Sequence, residues 1–207
     1  MVALVGDAEM DEGNMYEALW EGWKHGLRNC WWIVDYNRQS LDGVVPDQMF
    51  RLIDRVFRTT GWNVITIKYG KRMMEAFERP GGKALRRWIS DCPNDLYAAL
   101  TFRGAQAWRV QLAKDFADDD DALRLIESYS DDDLQNLMTN LGVHCLETLM
   151  EAFDDASKDE TPTCFIAYTI KGWGLPLAGH KDNHAGILNE EQVTGFREKL
   201  GITPGQE

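Results

Sequence analysis

Short apolar runs alternate along the chain with longer segments in which apolar residues recur every three or four positions. The short runs predict four strands, at 2–5, 31–34, 63–68 and 163–170, the first two of them buried. The longer segments predict helices over 13–26, 48–59, 72–77, 83–89, 134–141 and 144–158, and a last helix from Asn189 to Gly201. This order predicts an α/β fold with a doubly wound, mostly parallel sheet and helices on both faces.

The intervening segments are less regular. The first helix carries an apolar face that we expect to pack against the sheet, formed by Met15, Leu19, Trp20 and Trp23. Segment 94–109 is rich in aromatic residues and is expected to be helical in part, whereas 40–46 and 171–184 are expected to be loops. The acidic runs 118–121 and 131–133 lack the Gly and Glu spacing of a calcium loop, so we interpret them as helix starts, with Ser130 as an N-cap.

Polar side chains follow the first two strands at the points where they end. Asp7 follows the first strand, and Asn37 and Gln39 follow the second. The carboxyl ends of parallel strands meet at one edge of a sheet, so these three side chains are expected to converge. Together they offer an all-oxygen ligand set that suits a hard cation such as Mg²⁺. The alternative is that they are ordinary strand-end and cap residues.

Composition narrows the classes of function. The 207 residues are 44% hydrophobic and include eight Trp, which fits a single packed domain over 1–207. The net charge of -12 argues against nucleic acid and anionic membranes as partners. Four scattered cysteines indicate a reducing compartment, and no basic segment precedes the first strand as in a signal peptide. We therefore expect a cytoplasmic protein.

Four motifs in this order carry a resemblance to a known family. They are Gly-Asp-Ala-Glu-Met-Asp-Glu at 6–12, Asn-Arg-Gln-Ser-Leu-Asp-Gly at 37–43, Gly-Trp-Asn-Val at 61–64 and Thr-Ile-Lys-Gly-Trp-Gly at 169–174. The Gly-Asp pair followed about thirty positions later by Asn resembles the thiamine-diphosphate signature of the transketolase superfamily. The surrounding residues resemble the homodimeric type of pyruvate dehydrogenase decarboxylating component, from Val2 to about Gly201.

The resemblance implies a specific cofactor site. Asp7 and Asn37 would bind Mg²⁺ through side-chain oxygens and Gln39 through its backbone carbonyl, and the ion would bridge the two phosphates of thiamine diphosphate. The implied cofactor-binding residues are Gly6, Asp7, Ala8, Glu9 and Asn37. Ala8 departs from the family pattern, which has Gly, and its methyl group would weaken binding by about 1 kcal/mol if the turn needs a positive φ or close approach to phosphate.

The resemblance also implies two catalytic residues in the loop after the fourth strand. Lys171 matches a lysine that faces the active centre in the family, and the alternative is a solvated loop lysine. His184 matches a loop histidine that helps to bind substrate and assists reaction with the lipoyl carrier, and a His can shuttle protons near neutral pH. His180 and His184, four residues apart, would also suit a metal, but no helix or carboxylate partner supports that alternative. His25 and His144 are expected to be structural.

The family also has parts that this sequence does not match. In the family a long segment precedes the Gly-Asp strand, and a second domain supplies the Glu that activates the aminopyrimidine ring, usually across a dimer interface. We therefore expect a diphosphate-binding domain that works as a homodimer or with a partner subunit carrying the second domain. Two alternatives stay open. One is a non-catalytic binding or scaffold protein, and the other is a metal-assisted hydrolase built on Asp7, Glu9, Asn37 and His184.

Overall fold

Four parallel strands form the central sheet of the computed structural model, which describes residues 1–40, 43–203 and 205–206. The strands are β1 (Val2–Gly6), β2 (Trp31–Tyr36), β5 (Asn63–Ile67) and β6 (Thr163–Tyr168), in the spatial order β1-β2-β6-β5. Two further short strands, β3 (Gln39–Ser40) and β4 (Gly43–Val44), pair antiparallel where a loop over 40–46 was expected. Residues 41 and 42 of that loop lie outside the described residues.

Ten α-helices are seen in the described part of the chain. They are α1 (Gly13–Lys24), α2 (Phe50–Thr59), α3 (Lys71–Phe77), α4 (Gly82–Asp91), α5 (Asn94–Arg103), α6 (Ala105–Asp115), α7 (Asp120–Glu127), α8 (Asp131–Met138), α9 (Leu146–Ala156) and α10 (Glu190–Lys199). The expected α/β fold with a parallel sheet between helices is confirmed. None of the helices in the described residues is long and apolar enough to cross a membrane.

Side-chain caps set several helix starts. Asp119 accepts the Ala122 N–H at the start of α7, and Ser130 accepts the Asp133 N–H at the start of α8. The interpretation of both acidic runs as helix starts is therefore confirmed, since carboxylates and hydroxyls satisfy first-turn N–H groups. The capping box of α10, between Asn189 and Gln192, is confirmed as well.

The two faces of the sheet are covered differently. Alternate residues of each strand point to opposite faces. One side, which we call the covered face, belongs to the main core cluster and is formed by Trp32, Val34, Val64, Cys164 and Ile166. We call open face the side formed by Val2, Leu4, Trp31, Ile33 and Phe165, against which α9 packs through Phe153.

Two burial predictions are wrong at the β1 end of the molecule. The strand predicted at 2–5 exists, but Val2 and Leu4 are 60% and 74% exposed. The apolar face of α1 buries Leu19, whereas Trp20 and Trp23 are exposed. The reason is the strand order: β1 is an edge strand among the described residues, so its open face lacks neighbours on one side.

Candidate functional site

Asp7 is buried at the carboxyl end of β1, where it begins the 3-10 turn Asp7–Asp11. The side chain is 1% exposed, and its Oδ2 accepts the Arg38 N–H at 2.7 Å. Its Oδ1 is buried without a hydrogen-bond partner among the described residues. Burial raises the pKa of this carboxyl from 3.8 to about 6, the Arg38 N–H opposes that rise, and the charge of Asp35 adds to it. A buried carboxylate oxygen with unused lone pairs is stabilised by a cation.

Arg38 lies between Asn37 and Gln39 in the sequence, and its backbone N–H donates to the Asp7 carboxylate. The segment that carries Asn37 and Gln39 is therefore next to Asp7. The Gln39 N–H donates to Asn37 Oδ1 at 2.9 Å, and the Asn37 amide lies 3.4 Å from Asp35 Oδ2. Gln39 donates from Nε2 to the carbonyl of Gly179, while its Oε1 is buried and unpartnered among the described residues. The structure therefore brings the Asn37–Gln39 segment, through the Arg38 backbone, against the Asp7 carboxylate.

Arg38, between the two, has a left-handed backbone with φ of 67°. A non-glycine residue in this region is strained by roughly 1–3 kcal/mol, and such strain clusters at ligand sites. Sequence reasoning did not single out Arg38. Its position between two candidate ligands was the only available signal, because its conformation depends on contact with Asp7, 31 residues away.

The turn after β1 holds the remaining cofactor-site candidates. Glu9 reaches back and accepts the Gly6 N–H at 2.5 Å, so a phosphate oxygen would have to displace this carboxylate to use the same donor. Ala8 lies within the 3-10 turn and is not among the positive-φ residues. Its methyl group therefore carries no backbone strain.

Lys171 follows β6 and lies next to the same cluster. Together with Asn37 and Gln39 it lines a cavity of about 10 Å³, which is at or below the roughly 10–15 Å³ that one water requires. Its carbonyl accepts the Gly179 N–H at 3.3 Å and the Asn183 amide at 3.0 Å. These bonds fold the loop after β6 back onto the sheet edge.

The two histidines of that loop lie farther out. His184 is exposed at the end of the 3-10 turn Lys181–Asn183, and no hydrogen bond or ion pair in the described residues joins it to Asp7, Asn37 or Gln39. His180 packs edge-to-face on Phe102, with ring centroids 4.5 Å apart. No group of three or more His, Cys, Asp or Glu side chains suited to a metal is found within the described residues.

His144, expected to be structural, supports the strand end from which Lys171 emerges. Its Nε2 accepts the Ile170 N–H at 3.0 Å, and its ring stacks on Trp173 with centroids 4.1 Å apart. Burial lowers the pKa of His144 to about 4, so the imidazole is neutral at pH 7 and can accept this bond. The Thr169 hydroxyl in turn donates to the Asp35 carboxylate, and this hydrogen bond joins the end of β6 to β2.

Comparisons with known proteins point to one group of enzymes. The chain is 28% identical to the pyruvate dehydrogenase E1 component of Cupriavidus necator over 198 residues, and 29% identical to that of Corynebacterium glutamicum over 207. These alignments cover 94% and 97% of this chain but only 22% of each relative, so the chain spans about a fifth of their length. No protein-family model matches the chain.

A transketolase structure from Campylobacter jejuni shares the fold. It superposes with a TM-score of 0.51 at 18% sequence identity, over 99% of this chain and 21% of that one. The sequence comparison confirms the resemblance expected from the four motifs, and the structural comparison confirms the fold. The chain is thus similar in sequence to one segment of the pyruvate dehydrogenase E1 component, and similar in fold to part of a transketolase.

Proposed function

We propose that this chain binds thiamine diphosphate through a Mg²⁺ ion held by Asp7, Asn37 and Gln39, as part of a pyruvate dehydrogenase-like or transketolase-like enzyme. The observation that carries the proposal is the buried Asp7 Oδ1, which has no hydrogen-bond partner among the described residues, at the carboxyl edge of a parallel sheet. Ligands of such sheets bind at this edge. The similarity to pyruvate dehydrogenase E1 components supports the choice of cofactor.

The donor set fits the ion. Asp7 offers a carboxylate oxygen, and Asn37 and Gln39 offer amide or carbonyl oxygens, which are the ligands that Mg²⁺ prefers. The ion would offset the negative charges of Asp7 and Asp35 and would let a diphosphate approach a chain of net charge -12. When bound, thiamine diphosphate supplies a carbon centre that stabilises carbanion chemistry.

Lys171 and His184 are the side chains proposed to act on the substrate. The half-buried Lys171 lies beside Asn37 and Gln39, where a positive charge attracts an anionic substrate or phosphate group. The exposed His184 can exchange protons with solvent and reach a substrate or a carrier that arrives from outside.

Turnover by this segment requires further protein. We propose that a second copy or a partner subunit supplies the carboxylate that activates the aminopyrimidine ring. The exposed apolar side chains Leu4, Trp20 and Trp23 support a protein neighbour at the β1 end, because clustered exposed apolar residues mark interaction surfaces. The metal-assisted hydrolase has weaker geometric support, since Glu9 is bound to the Gly6 N–H and His184 is exposed.

Calorimetry on the purified chain tests the cofactor site. The wild-type chain is expected to bind thiamine diphosphate in the presence of Mg²⁺ and to stop binding it when the ion is chelated. Asp7→Asn is expected not to bind it. The exposed Asp118→Asn is the matched control and is expected to bind as the wild type does. Absence of binding by the wild type, or equal binding by both variants, would contradict the proposal. Binding without pyruvate turnover in the presence of a pyrimidine-domain subunit would favour the scaffold alternative.

A further inference from the structure

A second cavity opens at the same sheet edge and shares Arg38 with the smaller cavity beside Lys171. It lies where β2, β5 and β6 end and has a volume of about 70 Å³, several times the roughly 10–15 Å³ that one water requires. Its inner wall is formed by Tyr36, Arg38, Lys68, Tyr97 and Tyr168. None of these side chains belongs to the proposed magnesium ligands.

Two positive charges line this cavity, and neither makes an ion pair with a carboxylate among the described residues. The Lys68 Nζ lies 5.2 Å from the ring centroid of Tyr69 and 5.3 Å from that of Tyr168. The Arg38 guanidinium lies 4.1 Å from the Tyr97 centroid and donates to the Thr169 carbonyl at 3.3 Å. Aromatic faces stabilise these cations but leave most of their N–H groups available.

The hydroxyl of a buried tyrosine completes the set of donors. Tyr168 is 3% exposed, and its hydroxyl makes no hydrogen bond among the described residues, although it lines the cavity. The neighbouring phenols are already engaged: Tyr97 donates to the Met138 carbonyl at 2.7 Å, and Tyr36 accepts the Phe50 N–H at 3.3 Å. Burial raises the pKa of Tyr168, so its hydroxyl keeps its proton and can donate it in a hydrogen bond.

The acidic groups of the cavity lie at its solvent side. Asp47 and Asp91 are exposed, and Asp47 accepts the Asn94 N–H at 2.9 Å. Exposed charges are screened by water and salt, whereas half-buried Arg38 and Lys68 are screened less. The inner part of the cavity therefore favours negative charge.

We propose that this cavity binds a compact oxyanion, a carboxylate or a phosphate, through the Lys68 ammonium, the Arg38 guanidinium and the Tyr168 hydroxyl. A cation would meet two like charges, and an apolar molecule would leave the Lys68 ammonium and the Tyr168 hydroxyl without partners. An oxyanion satisfies all three donors with charge-assisted hydrogen bonds. This site differs from the proposed cofactor site in its donors, because neither Mg²⁺ nor the Asp7 side chain contributes to it.

The proposal is tested by calorimetric titration of the metal-free full chain in a buffer without other oxyanions. Inorganic phosphate and acetate are titrated separately. Saturable binding of at least one anion is expected, and the more tightly bound one identifies the source. Lys68→Met is expected to weaken binding roughly tenfold or more, as loss of a hydrogen bond to a charged group does. Tyr168→Phe, which removes only a hydroxyl that makes no hydrogen bond among the described residues, is expected to weaken it less while preserving the fold.

Lys83→Met, at an exposed position of α4, is the matched control and is expected to bind as the wild type does. The absence of saturable wild-type binding for both anions would overturn the proposal. Unchanged affinity in both Lys68→Met and Tyr168→Phe would overturn it too. Phosphate binding that is lost in Asp7→Asn but kept in Lys68→Met would assign the anion to the proposed cofactor site instead.

Discussion

The covered and open faces of the sheet differ in packing although they share the same four strands. On the covered face, Val34 and Ile166 are fully buried under the main core. On the open face, Phe165 is fully buried by α9, but Leu4 on the edge strand is 74% exposed. Strand pairing alone therefore does not determine burial, since a side chain is buried only where a helix or neighbouring strand covers it.

At the candidate site, exposed and buried residues likewise lie within a few positions of one another. Asp7 ends the exposed edge strand and is nevertheless 1% exposed, because the turn around Arg38 and the 3-10 turn that buries Met10 enclose it. The burial of Asp7 is thus local and independent of how well β1 is covered. This independence means that the sheet and the site can be perturbed separately.

The largest expected effect is the loss of unfolding free energy on substitution by alanine, which should differ between the two faces. Ile166→Ala on the covered face is expected to lower the free energy of unfolding by about 2–5 kcal/mol, because it leaves a cavity in a packed core. Ile33→Ala on the open face, where the side chain is only partly buried, should have a smaller effect. Leu4→Ala should stay within about 0.5 kcal/mol. Urea unfolding measures all three, and equal losses would refute the contrast between faces.

The next effect concerns Asp7 and pH. Its pKa is about 6 in the folded chain against an ordinary 3.8, so the folded state binds more protons between these values. The contribution of Asp7 to the stability of the metal-free chain should therefore fall as pH rises from about 4 to 6, by at most on the order of 3 kcal/mol. Asp7→Asn should remove this dependence, whereas Asp118→Asn should keep it. The difference in unfolding free energy between Asp7→Asn and the wild type should therefore change with pH over this range, and a difference that stays constant would exclude Asp7 as the cause.

Much of the sheet and part of the site could be predicted from the sequence. Periodicity located the four parallel strands, and the rule that strand ends share an edge placed Asp7 near Asn37 and Gln39. The exposure of Leu4 and Trp20 was missed, because periodicity indicates which residues share a face but not what covers that face. The left-handed Arg38 and the supporting role of His144 also depend on contacts between distant segments, which a local pattern does not encode.

A third prediction concerns His144, whose contribution to stability should change with pH in the direction opposite to that of Asp7. Burial lowers its folded pKa to about 4, so the unfolded chain, with a His pKa near 6.5, binds more protons between these values. The stability from its neutral ring is present above about pH 6.5 and is lost as pH falls toward 4. His144→Asn should remove this dependence. Parallel pH profiles of unfolding free energy for variant and wild type would contradict the assignment.

The smallest effect tests Ala8, which follows the edge strand and stands where the pattern of the resembled family has Gly. Ala8 lies in the 3-10 turn without a positive φ, so Ala8→Gly gains no backbone relief. It should instead lower the unfolding free energy by about 0.5–1 kcal/mol, because Gly loses more conformational freedom on folding. We expect the affinity for thiamine diphosphate with Mg²⁺, measured by calorimetry, to stay unchanged. A gain in affinity would show that the Ala8 methyl group obstructs the phosphate, since backbone strain is already excluded as the reason for glycine here.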